Sequence, residues 1–296
     1  MNQFDLFRRL TGAENDPRST DEIWQETASQ PDFVDSRDCG LVDAVQSGWY
    51  LSESDELFKG FAISATDSVL DVGCGAGGAT LFSANRGAHV VFTDVVAEKI
   101  ESLKARVAQT PARKAEGFVS DSIPLPVAAA SMSRVISMEV LEHVEDPAAF
   151  LRELVRVGQP GALYLLAVPD PVGENIQKNF APGYYFQRPN HIHIFEREEF
   201  GRLVTDAGLE IVRRDSFGFF WTFWMFLYWS VAKQAGGEME GTSHDVVQPP
   251  YPPILNDWAK LWHQVIKMPE AAPMKRALDQ LLPKSQVIIA RKSENG

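Results

Sequence analysis

Gly73, Gly75, Gly77 and Gly78 crowd a single bend, between the apolar run Ser68-Val-Leu-Asp-Val72 and a segment of helical spacing, with Asp71 two residues ahead of the first glycine. So bare a bend lets a ligand reach the main chain, and the following helix offers unpaired amide N–H groups to an anion. Gly73, Gly75 and Gly78 also satisfy the G-x-G-x-x-G spacing of dinucleotide sites, which makes a nicotinamide cofactor one reading. Asp71 separates the readings, because a carboxylate there suits the ammonium of an amino-acid-bearing cofactor and sits poorly beside a pyrophosphate. Asp94 closes the next apolar run about twenty residues on, where a carboxylate can accept from both hydroxyls of a ribose. Asp121 and Ser122 follow a third run; Asp121 suits an adenine amino group and Ile123 the face of its ring.

A second set lies further along. Glu139, Glu142 and His143 stand at i, i+3 and i+4, one face of a helix if this stretch is helical. His143 suits general-base work on an acceptor, with Glu142 beside it. His191 and His193, in Asn190-His-Ile-His-Ile-Phe195, share a face if that segment is extended, and either faces the acceptor or bonds backbone as a structural edge. His193 is taken as the acceptor-side residue, and Tyr184, Tyr185 and Phe186 as lining the same opening.

These residues need a scaffold, and the chain supplies a repeating one. Runs rich in β-branched residues, Ser68–Val72, Ala88–Thr93, Ala115–Val119, Arg134–Met138 and Ala162–Val168, alternate with helical patterns at Gly78–Arg86, Val96–Gln109 and Pro147–Val157. The alternation predicts parallel strands joined by crossover helices, an α/β fold. Leu209–Phe217 and Gln286–Arg291 read as sixth and seventh strands. Residues 1–65, broken by Pro17, Pro31, Gly40 and Gly48, predict a cap of short helices rather than strands. The expected organisation is thus a cap over 1–65, a cofactor-binding core over 66–216, an aromatic helical insertion or lid over 217–285, and a last strand and tail over 286–296.

The run Phe217-Gly-Phe-Phe-Trp-Thr-Phe-Trp-Met-Phe-Leu-Tyr-Trp229 has Arg213 and Arg214 before it and Lys233 after it. It is too short to span a bilayer, which takes about 20 apolar residues. Packing in a core or homodimer, a lid over the acceptor, and peripheral contact with a membrane remain, in that order. A net charge of −12 without a basic stripe excludes duplex nucleic acid as a partner. Two cysteines, Cys39 and Cys74, and a polar N-terminal region predict a cytoplasmic protein, with contact at the inner membrane face as an option.

Val69-Leu-Asp-Val-Gly-Cys-Gly-Ala-Gly77, Thr93-Asp94, Ser120-Asp121-Ser122 and Met138-Glu-Val-Leu-Glu-His-Val-Glu-Asp-Pro147 occur in an order that resembles class I S-adenosylmethionine-dependent methyltransferases, particularly the methyltransferase type 11 group. The resemblance covers Ser68 to about Val168. It implies a Rossmann-like, seven-stranded, mainly parallel sheet with an antiparallel last strand. It also implies S-adenosylmethionine as cofactor, held by Asp71, Gly73, Cys74, Gly75, Asp94, Val95, Asp121 and Ser122, with Met138 offering backbone contacts. Around Glu139–Pro147 the chain resembles ubiquinone-pathway O-methyltransferases and small-RNA 2′-O-methyltransferases, in which Glu, Glu, His and a later His can hold a divalent ion. Glu139, Glu142, His143 and His191 match that set, although the metal-free reading is favoured. The implied reaction is methyl transfer to an oxygen of a small or lipid-linked metabolite: a quinone precursor, a glycan hydroxyl or a phenol. Carbon methylation, a NAD-binding oxidoreductase and a catalytically silent adenosylmethionine binder are the alternatives.

Overall fold

The computed structural model describes residues 34–179, 181–234 and 253–294. The first 33 residues of the expected cap, and the proline-rich stretch from Gln248 through residue 252, lie outside them. In chain order the elements are α1 (Ser36–Ser47), β1 (Trp49–Leu51), β2 (Glu56–Phe58), β3 (Phe61–Ala62), β4 (Ser68–Val72), α2 (Gly78–Ala84), β5 (His89–Asp94), α3 (Ala97–Val107), β6 (Lys114–Val119) and β7 (Met132–Met138). They continue with α4 (Pro147–Val157), β8 (Gly158–Pro169), α5 (Pro171–Gln177), α6 (Arg197–Asp206), β9 (Leu209–Phe217), α7 (Phe219–Gln234), α8 (Pro253–Val265), α9 (Ala271–Leu281) and β10 (Ser285–Lys292).

All seven expected strands join one sheet, in the order β6-β5-β4-β7-β8-β10-β9. β4 runs parallel to both β5 and β7, while β10 runs antiparallel to β8 with Ser285 opposite Pro169. The chain steps outward from β4 through β5 to β6, then returns to the other side of β4 as β7. Strand order therefore reverses between β4 and β7, and ligands of open α/β sheets settle at the carboxyl ends of such a switch point.

β4 is buried over Val69–Val72 because helices cover both sheet faces, as a parallel sheet requires. In α3 the buried residues are Ile100, Leu103 and Val107, three and four apart, so its apolar stripe meets the sheet. Asp146 caps α4 by accepting from the Ala149 amide at 2.8 Å, and Pro147 opens the helix where its missing N–H costs nothing. At the sheet edge, β9 exposes Arg213 and Arg214, charges that discourage a further strand from pairing.

Residues 49–62 depart from the helical cap expected of them: β1, β2 and β3 form a small antiparallel sheet, with Trp49 opposite Phe58 and Phe58 opposite Phe61. Trp49, Tyr50 and Phe58 suit strands, and Gly48 and Gly60, both at positive φ, bracket them as turn residues. Only Ser36–Ser47 of the described cap is helical.

Two compact units emerge, and neither is continuous in sequence. The first comprises Gly48–Pro171, Ile192–Ser216 and the strand from Ser285 onward; the second takes the described residues up to Ser47, with Val172–His191 and Phe217–Lys284. The second unit is helical, and its core holds Phe220, Trp224, Tyr228, Trp229 and Trp262. Its indole N–H groups are satisfied: Trp224 donates to Ser36 Oγ and Trp229 to Gln177 Oε1, both at 3.0 Å. The aromatic run is thus mainly core, the first of the three readings. Among the described residues no helix is long and apolar enough to cross a membrane.

A charged cluster lies buried in the same unit. Lys275 Nζ sits 2.9 Å from Asp43 Oδ1 and 2.7 Å from Asp279 Oδ2. Asp279 Oδ1 accepts from the amides of Gly218 and Phe219, both at 3.0 Å, and so caps α7 from α9. Trp262 Nε1 donates to Asp43 at 2.9 Å, linking α8 to α1. Burial pushes the Asp43 carboxyl up to about 6, against the pull of Lys275.

Candidate functional site

Asp71, next to last in β4, is almost fully buried, with Oδ2 accepting from Thr80 Oγ1 at 2.6 Å. Burial pushes its carboxyl up to about 6; the Thr80 hydrogen bonds oppose that rise and the nearby charge of Asp94 adds to it. A carboxylate so withdrawn from water gains from a cation delivered to it.

The bend that follows is shaped by its glycines. At Gly73 (φ 69°) a side chain would collide with Val140 Cγ2, so the bend packs against the end of β7. At Gly75 (φ 51°) a Cβ would meet only the Gly73 carbonyl, at 4.0 Å; positive φ and open space there leave room for a ligand against the main chain. Cys74, buried between them, ties the bend to β5 through its amide and the Thr93 carbonyl at 2.9 Å. Burial pushes its thiol up to about 12, so it is no nucleophile at neutral pH.

Asp94 closes β5 and clamps the bend: Oδ2 accepts from the Gly75 amide at 2.9 Å and Oδ1 from the Val96 amide at 3.0 Å. Each oxygen keeps a further lone pair for a ribose hydroxyl. Val95, 68% exposed, and Ile123, 45% exposed, present apolar surface at adjacent strand ends, where a flat aromatic base would bury both. Asp121 accepts from the Ile123 amide at 3.3 Å and remains exposed, while Ser122 is buried at φ 72°. Met138, half-buried, ends β7. A buried carboxylate beside an opening free of side chains, a second carboxylate and two apolar flanks together fit an adenosine cofactor carrying an amino acid. Asp94→Ala is expected to weaken adenosylmethionine binding by about 1–3 kcal/mol, measured by calorimetry, through lost charge-assisted hydrogen bonds.

The helix on which Glu139, Glu142 and His143 would share a face does not form. Glu139 sits at φ 56° just past the strand, its amide donating to the Ala167 carbonyl, and Leu141–His143 is one 3₁₀ turn. Glu139, Glu142 and His143 therefore do not share an α-helical face. The left-handed residue after β7 breaks the helical register that the i, i+3, i+4 spacing assumes. Glu142 and His143 do come together, the fully buried carboxylate 3.7 Å from His143 Nε2, with His143 partly exposed. The Glu142 carbonyl also accepts from the Ile192 and His193 amides. His193 Nε2 lies 2.9 Å from the Val144 carbonyl. His191 belongs to the helical unit, where Nδ1 lies 2.8 Å from Glu174 Oε2 and its ring packs against Tyr185. Tyr185 is likewise buried in that unit, against Phe186 and Trp229.

Tyr50 was not anticipated. Its hydroxyl lies only 2.8 Å from where a Cβ on Gly78 would stand, at the glycine bend. The aromatic and apolar residues of Trp49-Tyr-Leu51, directly after Gly48, were the available signal for a strand there.

Residues 50–214, more than half of the chain, match the methyltransferase-domain family model, and the chain belongs to this family. Its class is the S-adenosylmethionine-dependent methyltransferases, which sets the dinucleotide reading aside. Among curated relatives, the tocopherol O-methyltransferase of Arabidopsis thaliana is 38% identical over 102 residues, 33% of this chain and 29% of that protein. A probable S-adenosylmethionine-dependent methyltransferase of Mycolicibacterium smegmatis is 29% identical over 51% of this chain and 54% of its own length. For methyltransferase GfsG of Streptomyces halstedii the identity is 28%, over 54% and 58%. The chain thus spans about half the length, or less, of these relatives. Of solved structures, a methyltransferase-like protein from Bacillus halodurans superposes with a TM-score of 0.51 at 17% identity, over 78% of this chain and 95% of that one, a likeness of fold.

Proposed function

We propose that the protein is an S-adenosylmethionine-dependent methyltransferase acting on an oxygen of a small or lipid-linked metabolite, a phenol or quinone precursor being the favoured acceptor. The observation that carries the methyltransferase reading is the buried Asp71 carboxylate behind the open face of Gly75. Bound S-adenosylmethionine supplies an electrophilic methyl group on a sulfonium. Asp71 holds the cofactor's ammonium, Asp94 its ribose, and Val95 and Ile123 flank its base, with Asp121 and Ser122 at the base's edge and Met138 contributing main-chain atoms. The choice of oxygen rests on the likeness to tocopherol O-methyltransferase, which covers a third of the chain, and on an imidazole–carboxylate pair suited to deprotonating a hydroxyl.

In this reading His143 Nε2 takes the acceptor's proton, and the buried Glu142 carboxylate stabilises the imidazolium that forms. His193, bonded to the Val144 carbonyl, fixes the segment beside Glu142. No metal is assigned a role.

The test is methyl transfer from labelled S-adenosylmethionine to a panel of phenols and hydroquinones, with the methylated atom located by mass spectrometry and NMR. His143→Ala is expected to lower kcat about 100-fold, the usual worth of a positioned base, with cofactor affinity unchanged. Methyl groups found on carbon would overturn the oxygen assignment, and equal loss of kcat and cofactor affinity would overturn the role of His143.

A further inference from the structure

Tyr50 combines three features that its fold does not require. Its backbone is left-handed (φ 53°), a conformation disfavoured for a bulky L residue and found where a side chain must be aimed. Its side chain is half-buried, and its hydroxyl makes no hydrogen bond with any described residue. And that hydroxyl stands over the glycine bend, where a side chain on Gly78 would otherwise be. The ring is held in place by packing at 5.9 Å from Phe82, which Arg86 covers from 3.3 Å; Arg86 in turn pairs with Asp55 at 3.0 Å.

We propose that Tyr50 is a binding residue for the amino-acid end of the cofactor, its O–H donating to the cofactor's carboxylate while Asp71 accepts from the ammonium. The inference rests on the cofactor reading above and extends it to a strand outside the sheet that carries the glycine bend. Complementarity supports it: Asp71 is already engaged by Thr80 and is acceptor-only, so it repels a carboxylate, and an O–H at Gly78 supplies the matching donor. Burial, with the charge of Asp71, raises the Tyr50 pKa, so the phenol stays protonated and able to donate at neutral pH.

The experiment uses calorimetric titration of the full chain and of Tyr50→Phe, which keeps the ring packing. Two probes are compared: S-adenosylhomocysteine, which carries the amino-acid end, and 5′-methylthioadenosine, which lacks it. The expected result is an approximately tenfold or greater loss of affinity for S-adenosylhomocysteine, the effect of removing a charge-assisted hydrogen bond, with affinity for 5′-methylthioadenosine unchanged. Unchanged affinity for S-adenosylhomocysteine overturns the proposal. So does a parallel loss for both probes, which would make Tyr50 a prop for the bend. If the unmutated protein is folded and binds neither probe, the cofactor reading itself fails.

Discussion

Replacing Asp71 with Asn is expected to lower affinity for S-adenosylmethionine about 100-fold while leaving the empty protein folded and no less stable. The amide keeps the shape and one acceptor for Thr80, so the bend stays in place. What is lost is the partner of a buried cation; breaking such a pair costs about 2–5 kcal/mol. The stability effect has the opposite sign. The Asp71 carboxyl titrates near 6, above its ordinary 3.8, so its contribution to stability is present below pH 3.8 and is lost as pH rises through 6. Asn removes this loss, a gain on the order of 1–3 kcal/mol at pH 7. Binding follows the ionised form: affinity of the unmutated protein rises as pH passes upward through about 6, and that of Asp71→Asn does not. Calorimetry at pH 5 and pH 7.5, with urea denaturation of the empty proteins, reads both effects. A variant that binds normally contradicts the assignment.

The second large effect is structural. Lys275→Met is expected to destabilise the protein by about 3–5 kcal/mol, because two buried carboxylates, Asp43 and Asp279, are left without their cation. Asp279 also caps the aromatic helix through the Gly218 and Phe219 amides, so the damage reaches the core of Phe220, Trp224 and Trp229. Lys275 is one of the groups that lower the Asp43 pKa, and without it Asp43 titrates above its present value near 6. The deficit between variant and unmutated protein therefore narrows as pH falls toward about 6, over the range where Asp43 is protonated in the variant but still ionised in the unmutated protein. Denaturant midpoints at pH 5 and pH 7.5 check this, and a deficit under about 1 kcal/mol at pH 7.5 would mean that the lysine is not what balances the pair.

Much of the sheet was legible because its strands hold apolar, β-branched runs, closed in β4 by Gly73 and in β5 by Asp94, and helices such as α3 place their apolar residues three and four apart. Asp71, the glycines and Asp94 fall at or beside strand ends for the same reason, so locating the strands locates these residues. Glu139 was misplaced because the spacing of Glu139, Glu142 and His143 mimics a helix, and one left-handed residue breaks it without leaving a mark on the spacing. Residues 49–62 were misread because a glycine such as Gly48 punctuates strands as readily as helices. The Lys275 cluster was not legible at all. Its members lie on helices more than two hundred residues apart in sequence, and nothing local distinguishes a buried lysine from a solvated one.

The central claim is that the bend after β4 is built for a cation-bearing adenosine cofactor and not for a dinucleotide. Titrating the purified protein with S-adenosylhomocysteine and, separately, with NADH tests it most directly. One saturable site for S-adenosylhomocysteine, abolished or strongly weakened in Asp71→Asn, with no heat from NADH, is the predicted outcome. Saturable NADH binding with no response to S-adenosylhomocysteine would contradict it.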